Sequence, residues 1–180
     1  ITHEYGELRI DPRPVTVITG SMEWVYDGEI HSFGEYRVSL MTPLVTGHQT
    51  ELRALTEITN VWEGSAERPA QNKLTVAILD AEGEDMTANY AFTYEYGELV
   101  IHPKPITLIS ESMEGIYDGL PHDWKHFTFA EENALVRDHT AEAVEWTTVT
   151  NVADSGRRNA LRIRIWCDGG EQTENYASTY

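Results

Sequence analysis

An internal repeat is the feature that most constrains the fold of this chain. Tyr26-Asp27-Gly28 returns as Tyr117-Asp118-Gly119, and Tyr5-Gly6-Glu7-Leu8 returns as Tyr96-Gly97-Glu98-Leu99, so both motifs recur after 91 residues (117 − 26 and 96 − 5). Asn89-Tyr90 and Asn175-Tyr176 are only 86 residues apart, which indicates short loop deletions in the second copy. Because this period exceeds that of most solenoid units, each copy is predicted to fold as a domain.

The charge balance limits the partners of the chain. Thirty acidic residues stand against 13 basic ones, so the formal net charge is −17. Nucleic acid and anionic lipid would repel such a chain, so neither is expected as a partner, and no apolar run is long enough for membrane insertion. A single cysteine, Cys167, excludes an internal disulfide and a CxxC zinc module.

Short stretches of alternating apolar residues predict that the chain is mostly β. Examples are Leu74, Val76 and Ile78 in the first copy and Leu161, Ile163 and Ile165 in the second. Helical patterns are few: residues 131–136 are one candidate. The other, Leu52, Leu55 and Ile58, also suits a strand, because its counterpart in the second copy is β-branched and aromatic.

Proline pairs that follow a predicted strand divide the chain. Pro12-Arg13-Pro14 and Pro103-Lys104-Pro105 open the two copies and indicate stiff, extended junctions. We therefore predict that residues 1–10 are the terminal strand of a preceding repeat, 11–101 the first repeat, and 102–180 a second repeat lacking its last strand. The chain is expected to be an excerpt of a longer array.

The ordered set of motifs resembles the MBG and YDG repeats of bacterial cell-surface proteins and adhesins. It comprises the proline-rich start, Tyr-Asp-Gly, Gly47-His48-Gln49-Thr50-Glu51, Thr59-Asn60-Val61, Asn89-Tyr90 and Tyr96-Gly97-Glu98-Leu99-Val100-Ile101. The resemblance covers the whole chain and implies two tandem β-grasp-like modules. An immunoglobulin-like β-sandwich is the alternative, since it also gives short alternating strands.

The same resemblance implies a non-enzymatic spacer that is extracellular, wall-attached within a longer protein, and projects other domains from the cell wall. A binding module for host glycoprotein or glycan is the alternative function, and a hydrolase is the most distant one. Nucleophilic catalysis is not expected, because the chain has no GxSxG, HExxH or P-loop motif. No cofactor is predicted.

The recurring Tyr-Asp-Gly motif is interpreted as a turn. Asp-Gly favours tight turns, and the preceding tyrosine can bury its ring while its hydroxyl finds a partner. Asp27 and Asp118 are therefore expected to contribute to stability and to take no part in catalysis.

Two groups of metal-ligand residue types carry weaker signals. His122 and His126 lie four residues apart and match His31 and Glu35 of the first copy, but no third ligand is evident. Asp80, Glu82, Glu84 and Asp85 lack EF-hand spacing and favour a solvated turn. No metal site is therefore predicted.

Two tryptophans are candidate ligand-binding residues because each occurs in one copy only. Trp24 stands opposite Gly115, and Trp62 opposite Ala153. A flat indole ring can stack on sugars or anchor a protein interface. The alternative is that each ring fills a local gap.

Residues 1–10 repeat the segment that the second copy lacks after Tyr180. Without that strand, the second copy should expose apolar surface and an unpaired sheet edge. We therefore predict self-association by strand addition, in which residues 1–10 of one chain pair with the second repeat of another.

Overall fold

Residues 2–180 are described in a computed structural model of the chain, and Ile1, the first residue of the predicted terminal strand, lies outside the described residues. The fold is mostly β, as the alternation predicts. Repeat one contains β1 (Arg13–Thr19), β2 (Met22–Val25), β3 (His31–Ser32), β4 (Tyr36–Val38), β5 (Gln49–Leu55), β6 (Glu57–Ile58), β7 (Ala70–Gln71), β8 (Leu74–Leu79), β9 (Tyr90–Glu95) and β10 (Glu98–His102).

Repeat two contains fewer strands. They are β11 (Lys104–Ser110), β12 (His122–Asp123), β13 (Phe127–Phe129), β14 (Thr140–Trp146), β15 (Thr148–Val149), β16 (Leu161–Cys167), β17 (Gly170–Glu171) and β18 (Tyr176–Thr179). The helical segments within residues 2–180 are short 3₁₀ turns: Val61–Glu63, Thr87–Asn89, Val152–Asp154 and Thr173–Asn175.

The strand order is the same in both repeats where their strands correspond. β1 lies between antiparallel β4 and parallel β9, and β11 lies between antiparallel β13 and parallel β18. The β5–β8 pair has an irregularity between Leu52 and Ala54, and the β14–β16 pair has one between Ala143 and Glu145, 91 residues later. Corresponding sequence therefore produces corresponding register.

Alternation along these strands builds one apolar core in each half of the chain. Inward residues of β1 and β8 are buried in the first half, and the equivalent residues of β11 and β16 are buried in the second. The buried apolar residues of these strands are Val15, Val17, Leu74, Val76, Ala77 and Ile78, and then Ile106, Leu108, Leu161, Ile163 and Ile165.

The compact units differ from the sequence repeats. Unit 1 comprises Ile1–Glu23, Ile30–Ile58 and Glu67–Val100, whereas unit 2 comprises Trp24–Glu29, Thr59–Ala66 and Ile101–Tyr180. Repeat one therefore contributes two segments to unit 2. Sequence repetition alone does not indicate this exchange, because it reports similarity between copies and not which copy a segment packs against.

Three sequence expectations need correction or refinement. Residues 131–136 form turns and bends instead of a helix, and Leu52 lies in a strand. Residues 2–10 form no strand.

The three-stranded sheet β2–β10–β7 belongs to repeat one, and within residues 2–180 repeat two has no counterpart of it. Residues 113–116 and 157–158, which correspond to β2 and β7, are irregular because no strand equivalent to β10 lies between them.

Candidate functional site

A buried polar cluster in unit 2 surrounds Asn175. The Asn175 side chain is fully buried and accepts a hydrogen bond from the Val61 backbone N–H at 2.8 Å. Its amide donates to Asn60 Oδ1 at 2.9 Å and to Gln172 Oε1 at 2.7 Å. Because the side chain is satisfied in both roles, it can be buried without leaving a polar atom unpaired.

Tyr176 and His139 extend this cluster. The Val136 N–H donates to the Tyr176 hydroxyl at 3.0 Å, and that hydroxyl lies 2.7 Å from His139 Nδ1. The hydroxyl oxygen has lone pairs as well as one proton, so the tautomer of His139 determines whether the hydroxyl donates to Nδ1 or accepts from it. We call Tyr26, Asn60, Val61, His139, Asn175 and Tyr176 the Asn175 cluster.

Burial determines the protonation of this cluster. Desolvation raises the pKa of Tyr176 to about 12, although the hydrogen bond from Val136 acts in the opposite direction. Desolvation also lowers the pKa of His139, the Asp138 carboxylate raises it to a smaller extent, and the Lys104 charge lowers it slightly further. Both groups are therefore neutral at pH 7, and the cluster acts as an anchored hydrogen-bond network.

The Tyr-Asp-Gly turn positions Tyr26 against this network. Asp27 Oδ1 accepts from Glu29 N at 2.9 Å, and Gly28 has a φ of +85°, which favours glycine. The Tyr26 ring is 4% exposed and meets the Tyr176 ring edge-on, with 5.6 Å between centroids. The turn interpretation fits this geometry, and the tyrosine anchors the turn.

A second short motif positions Asn60 and Val61. Glu63 Oε2 accepts from the backbone N–H groups of Thr59 and Asn60, at 2.8 Å and 2.6 Å. This carboxylate fixes the start of the Val61–Glu63 turn. The Asn60 side chain and the Val61 N–H are thereby presented to Asn175.

Unit 1 repeats the tyrosine and histidine arrangement. The Tyr90 hydroxyl lies 2.8 Å from His48 Nδ1 and accepts from Val45 N at 3.1 Å. Asn89, the counterpart of Asn175, is exposed, and its amide contacts Met86 Sδ at 3.6 Å. The recurrence of His48, Asn89 and Tyr90 in sequence was the signal for this network, but sequence alone gave them no role.

Repeat two presents the counterparts of Tyr26, Asn60 and Val61 on its surface. Tyr117 is 62% exposed and Val152 is 75% exposed. An open cleft of about 500 Å³ in unit 2 is lined by residues 113–117 on one side and by 149–152 and 155–157 on the other. Ile116 and Tyr117 border this cleft, and both side chains are largely exposed to solvent.

The two candidate tryptophans do not form a joint site. Trp24 is half-buried on β2, and Trp62 is 50% exposed in the Val61–Glu63 turn. Neither ring lines the cleft beside residues 113–117, nor the second unit 2 cleft beside Tyr26 and Cys167. Of these two tryptophans, Trp62 is the more exposed.

The histidine candidates have ordinary partners. His122 Nε2 lies 2.9 Å from Asp118 Oδ1, and His126 stacks on Trp124 with 4.6 Å between ring centroids. His31 lies on β3, and Glu35 is exposed beside β4. Among the described residues, no group of three or more His, Cys, Asp or Glu side chains could hold a metal ion.

The acidic run of repeat one forms a turn. Asp80 Oδ1 accepts from Glu82 N at 3.1 Å and from Glu84 N at 2.8 Å. Hydrogen bonds from the side chain and backbone of Thr87 lower the pKa of Asp85. Two of the four carboxylates are thus used in local backbone hydrogen bonds, as the solvated-turn interpretation expects.

Comparison with protein-family models, with curated proteins and with solved structures finds no match for this chain. Over residues 2–180, none of the helices has the length and apolar character needed to span a bilayer. The function is therefore argued from the geometry of the units themselves.

Proposed function

We propose that the chain is a non-enzymatic structural segment of a bacterial surface protein, extracellular and wall-attached, that spaces other domains away from the cell. The observation that carries this proposal is the composition of unit 2. Trp24–Glu29 and Thr59–Ala66 of repeat one belong to the same compact unit as Ile101–Tyr180 of repeat two. Because segments of one repeat form part of the compact unit of the next, the folding of successive repeats is coupled. Such coupling suits an array that bears load.

The chemistry of the Asn175 cluster supports the same proposal. The polar side-chain atoms of Asn175 and Tyr176 make hydrogen bonds to other groups of unit 2, and His139 Nδ1 is hydrogen-bonded with the Tyr176 hydroxyl. A general base needs a free lone pair within reach of a substrate. Such a cluster stabilises a junction and leaves no activated group for hydrolysis.

For the finer fold we propose a β-grasp-like module. Parallel pairing of the first long strand of each repeat with a strand near the end of that repeat, β1 with β9 and β11 with β18, supports it. The immunoglobulin-like alternative is favoured by the absence of an α-helix among the described residues. An experimental structure with the strand crossings traced decides between the two.

A binding module for host glycoprotein or glycan is the second candidate function, and the exposed ring of Trp62 favours it. A glycan and mucin binding screen with the chain tests both functions. We expect no saturable binding. Binding that is lost in Trp62→Ala, and kept in Trp24→Ala, would replace the spacer function with the binding module.

A second experiment addresses the spacer function directly. Genes that encode the 180-residue sequence once, twice and four times in tandem give proteins whose maximum dimension is measured by small-angle X-ray scattering. A spacer should lengthen in proportion to the number of copies. A dimension that grows far more slowly, as in a collapsed particle, would contradict the proposal.

A further inference from the structure

The segment Gly97–Ile101 of repeat one is held by contacts that a second segment of the chain could reproduce. Gly97 N donates to Thr19 Oγ1 at 2.8 Å, and Glu98 N donates to Ser21 Oγ at 2.9 Å. Gly97 O accepts from Asn72 N at 2.8 Å. The strand that follows, β10, buries its apolar side chains, Leu99, Val100 and Ile101.

Gly97 must be glycine in this arrangement. A Cβ placed there would lie 2.2 Å from the Gly20 carbonyl oxygen, a distance at which the backbone would have to move. Gly6 occupies the same place in the motif, yet a Cβ on Gly6 would meet nothing within 4 Å. Position 6 is therefore a glycine, as the docked segment needs, although Gly6 makes no close contact in the free chain.

Repeat two retains the acceptors for such a segment. Ser110 and Ser112 stand 91 residues after Thr19 and Ser21, so both hydroxyl acceptors are kept. Asn159 makes side-chain hydrogen bonds that correspond to those of Asn72. It donates to the Glu111 and Trp124 carbonyls, both at 2.9 Å. Asn72 donates to the Gly20 and Phe33 carbonyls, at 2.8 Å and 3.0 Å. The receiving framework is therefore formed in repeat two, and no strand within residues 2–180 occupies it.

The free partner of this framework lies at the start of the same chain. Leu8 and Ile10 repeat Leu99 and Ile101 and are fully exposed. Arg9 replaces Val100, and its aliphatic stem can cover apolar surface while the guanidinium stays in water. We define the head face as residues 6–10 with His48 and Asn89, and the tail face as residues 110–117 with Asn151 and Val152.

We infer that the tail face of one chain is a docking surface for the head face of a second copy of this chain. Residues 7–10 then form a strand beside residues 113–116. In the same contact Asn89 accepts from Val152 N and donates to Asn151, as Asn175 does with Val61 and Asn60 in unit 2. Tyr117 packs against His48, as Tyr26 does against His139.

This contact is heterologous, so an assembly of any length keeps one free head face at one end and one free tail face at the other. Association therefore produces open chains whose length rises with protein concentration. The inference goes beyond the spacer function, because it concerns what separate chains do in solution and holds whether or not the protein projects other domains.

The decisive variant is Gly6→Val, which touches nothing in the free chain. Sedimentation velocity from micromolar to millimolar protein should show the average mass of the wild type rising above the 20.4 kDa of one chain. Gly6→Val should weaken this association at least tenfold, because its Cβ would strike the backbone near Glu111. Leu40→Asp, which alters an exposed apolar residue of neither face, is the matched control and should leave it unchanged.

Two blocked variants test the polarity of the contact. One chain carries Gly6→Val with Asn89→Ala, and the other carries Val152→Asp. Each should stay monomeric alone, and an equimolar mixture should form a capped 1:1 complex. Hydrogen exchange at residues 113–116 should slow in that complex only, since a new strand then pairs with them.

The inference is overturned if the wild type stays monomeric throughout, or if Gly6→Val associates as well as the wild type. It is also overturned if the blocked variants fail to combine. Far-UV circular dichroism confirms that each variant is folded, because Gly6→Val and Asn89→Ala lie in unit 1 and the tryptophans lie in unit 2. These outcomes are independent of the glycan screen and of the tandem-copy measurement, so failure of the docking inference is distinguishable from failure of the spacer function.

Discussion

Tyr26 and Tyr117 occupy the same place in the same three-residue motif, yet one is buried and the other is exposed. Asn175 and Asn89 show the reverse assignment, since the residue of repeat two is buried and that of repeat one is exposed. The two contrasts share one cause. Within unit 2 the turn that carries Tyr26 meets Tyr176, whereas among residues 2–180 no such partner covers Tyr117, which is 62% exposed.

Tyr-Asp-Gly therefore supplies only one side of an interaction, and a second surface is needed to bury its tyrosine. The turn geometry is the same in both places, with φ of +85° at Gly28 and +82° at Gly119. Local sequence therefore produces the turn, and a partner produces its burial. A motif whose turn forms locally and whose tyrosine is buried only by a partner surface is suited to joining one repeat to another.

Replacing the buried tyrosine should have the largest effect. Tyr26→Ala removes a ring packed against Tyr176 and should lower the free energy of unfolding of unit 2 by about 3 kcal/mol. Tyr117→Ala should change it by less than about 1 kcal/mol, because the ring is mostly in water. All five tryptophans lie in unit 2, so tryptophan fluorescence in urea follows this unit. Equal losses in the two variants would remove the contrast.

The asparagine pair should give the next largest difference. Asn175→Ala leaves the buried Val61 N–H without its acceptor and should cost about 2 kcal/mol in unit 2. Asn89→Ala should alter stability by less than about 0.5 kcal/mol, because that side chain is exposed. Hydrogen exchange at Val61 gives a second readout, which should accelerate only in Asn175→Ala. If Asn89→Ala is the more harmful variant, the assignment of buried and open partners is wrong.

Both turns should respond alike to loss of their aspartate, by less than the asparagine effect. Asp118 accepts from Leu120 N and contacts His122, and these hydrogen bonds lower the pKa of Asp118. The stability that this carboxylate contributes is present above pH 3.8 and is lost as the pH falls through its lowered pKa. Urea midpoints of Asp27→Ala and Asp118→Ala should therefore fall slightly, with no binding activity removed. A loss confined to Asp27→Ala would show that the turn depends on its packing partner.

The smallest expected effect is a pH dependence of the Asn175 cluster. Burial lowers the pKa of His139 below 6.5, so the stability from its neutral form is present above pH 6.5 and is lost as the pH falls through the lowered pKa. In the protonated imidazole both ring nitrogens carry a proton, so Nδ1 cannot accept from the Tyr176 hydroxyl. NMR titration should place the pKa of His139 below 6.5, and His139→Gln should reduce the acid dependence of unit 2 stability. A pKa above 6.5 would contradict the burial of this imidazole.

Much of the fold follows from the sequence because its signals are local. Alternation places the strands β1, β8, β11 and β16, and Asp-Gly places the turns. Residues 131–136, one of the two helix candidates, form turns and bends, because a segment this short has little helical stability of its own and tertiary packing buries Ala134. Sequence thus predicts the class of elements better than their boundaries.

The site was harder to predict for the opposite reason. Trp24 and Trp62 stand out because they differ between the copies, whereas His139, Asn175 and Tyr176 recur and looked like markers of the repeat. Their role depends on Asn60 and Val61, which are 115 and 114 residues from Asn175. No periodicity or motif spacing encodes a hydrogen bond over that separation.

The repeat, the mostly β class, the Tyr-Asp-Gly turns and the acidic charge can all be read from the sequence, because each depends on neighbouring residues or on composition. The assignment of Trp24–Glu29 and Thr59–Ala66 to unit 2, and the burial of Tyr26 but not of Tyr117, are visible only in three dimensions. Burial and hydrogen bonding depend on which surfaces meet, and local sequence does not encode that. Identical motifs carry identical propensities, and the partner present in space determines whether they are covered.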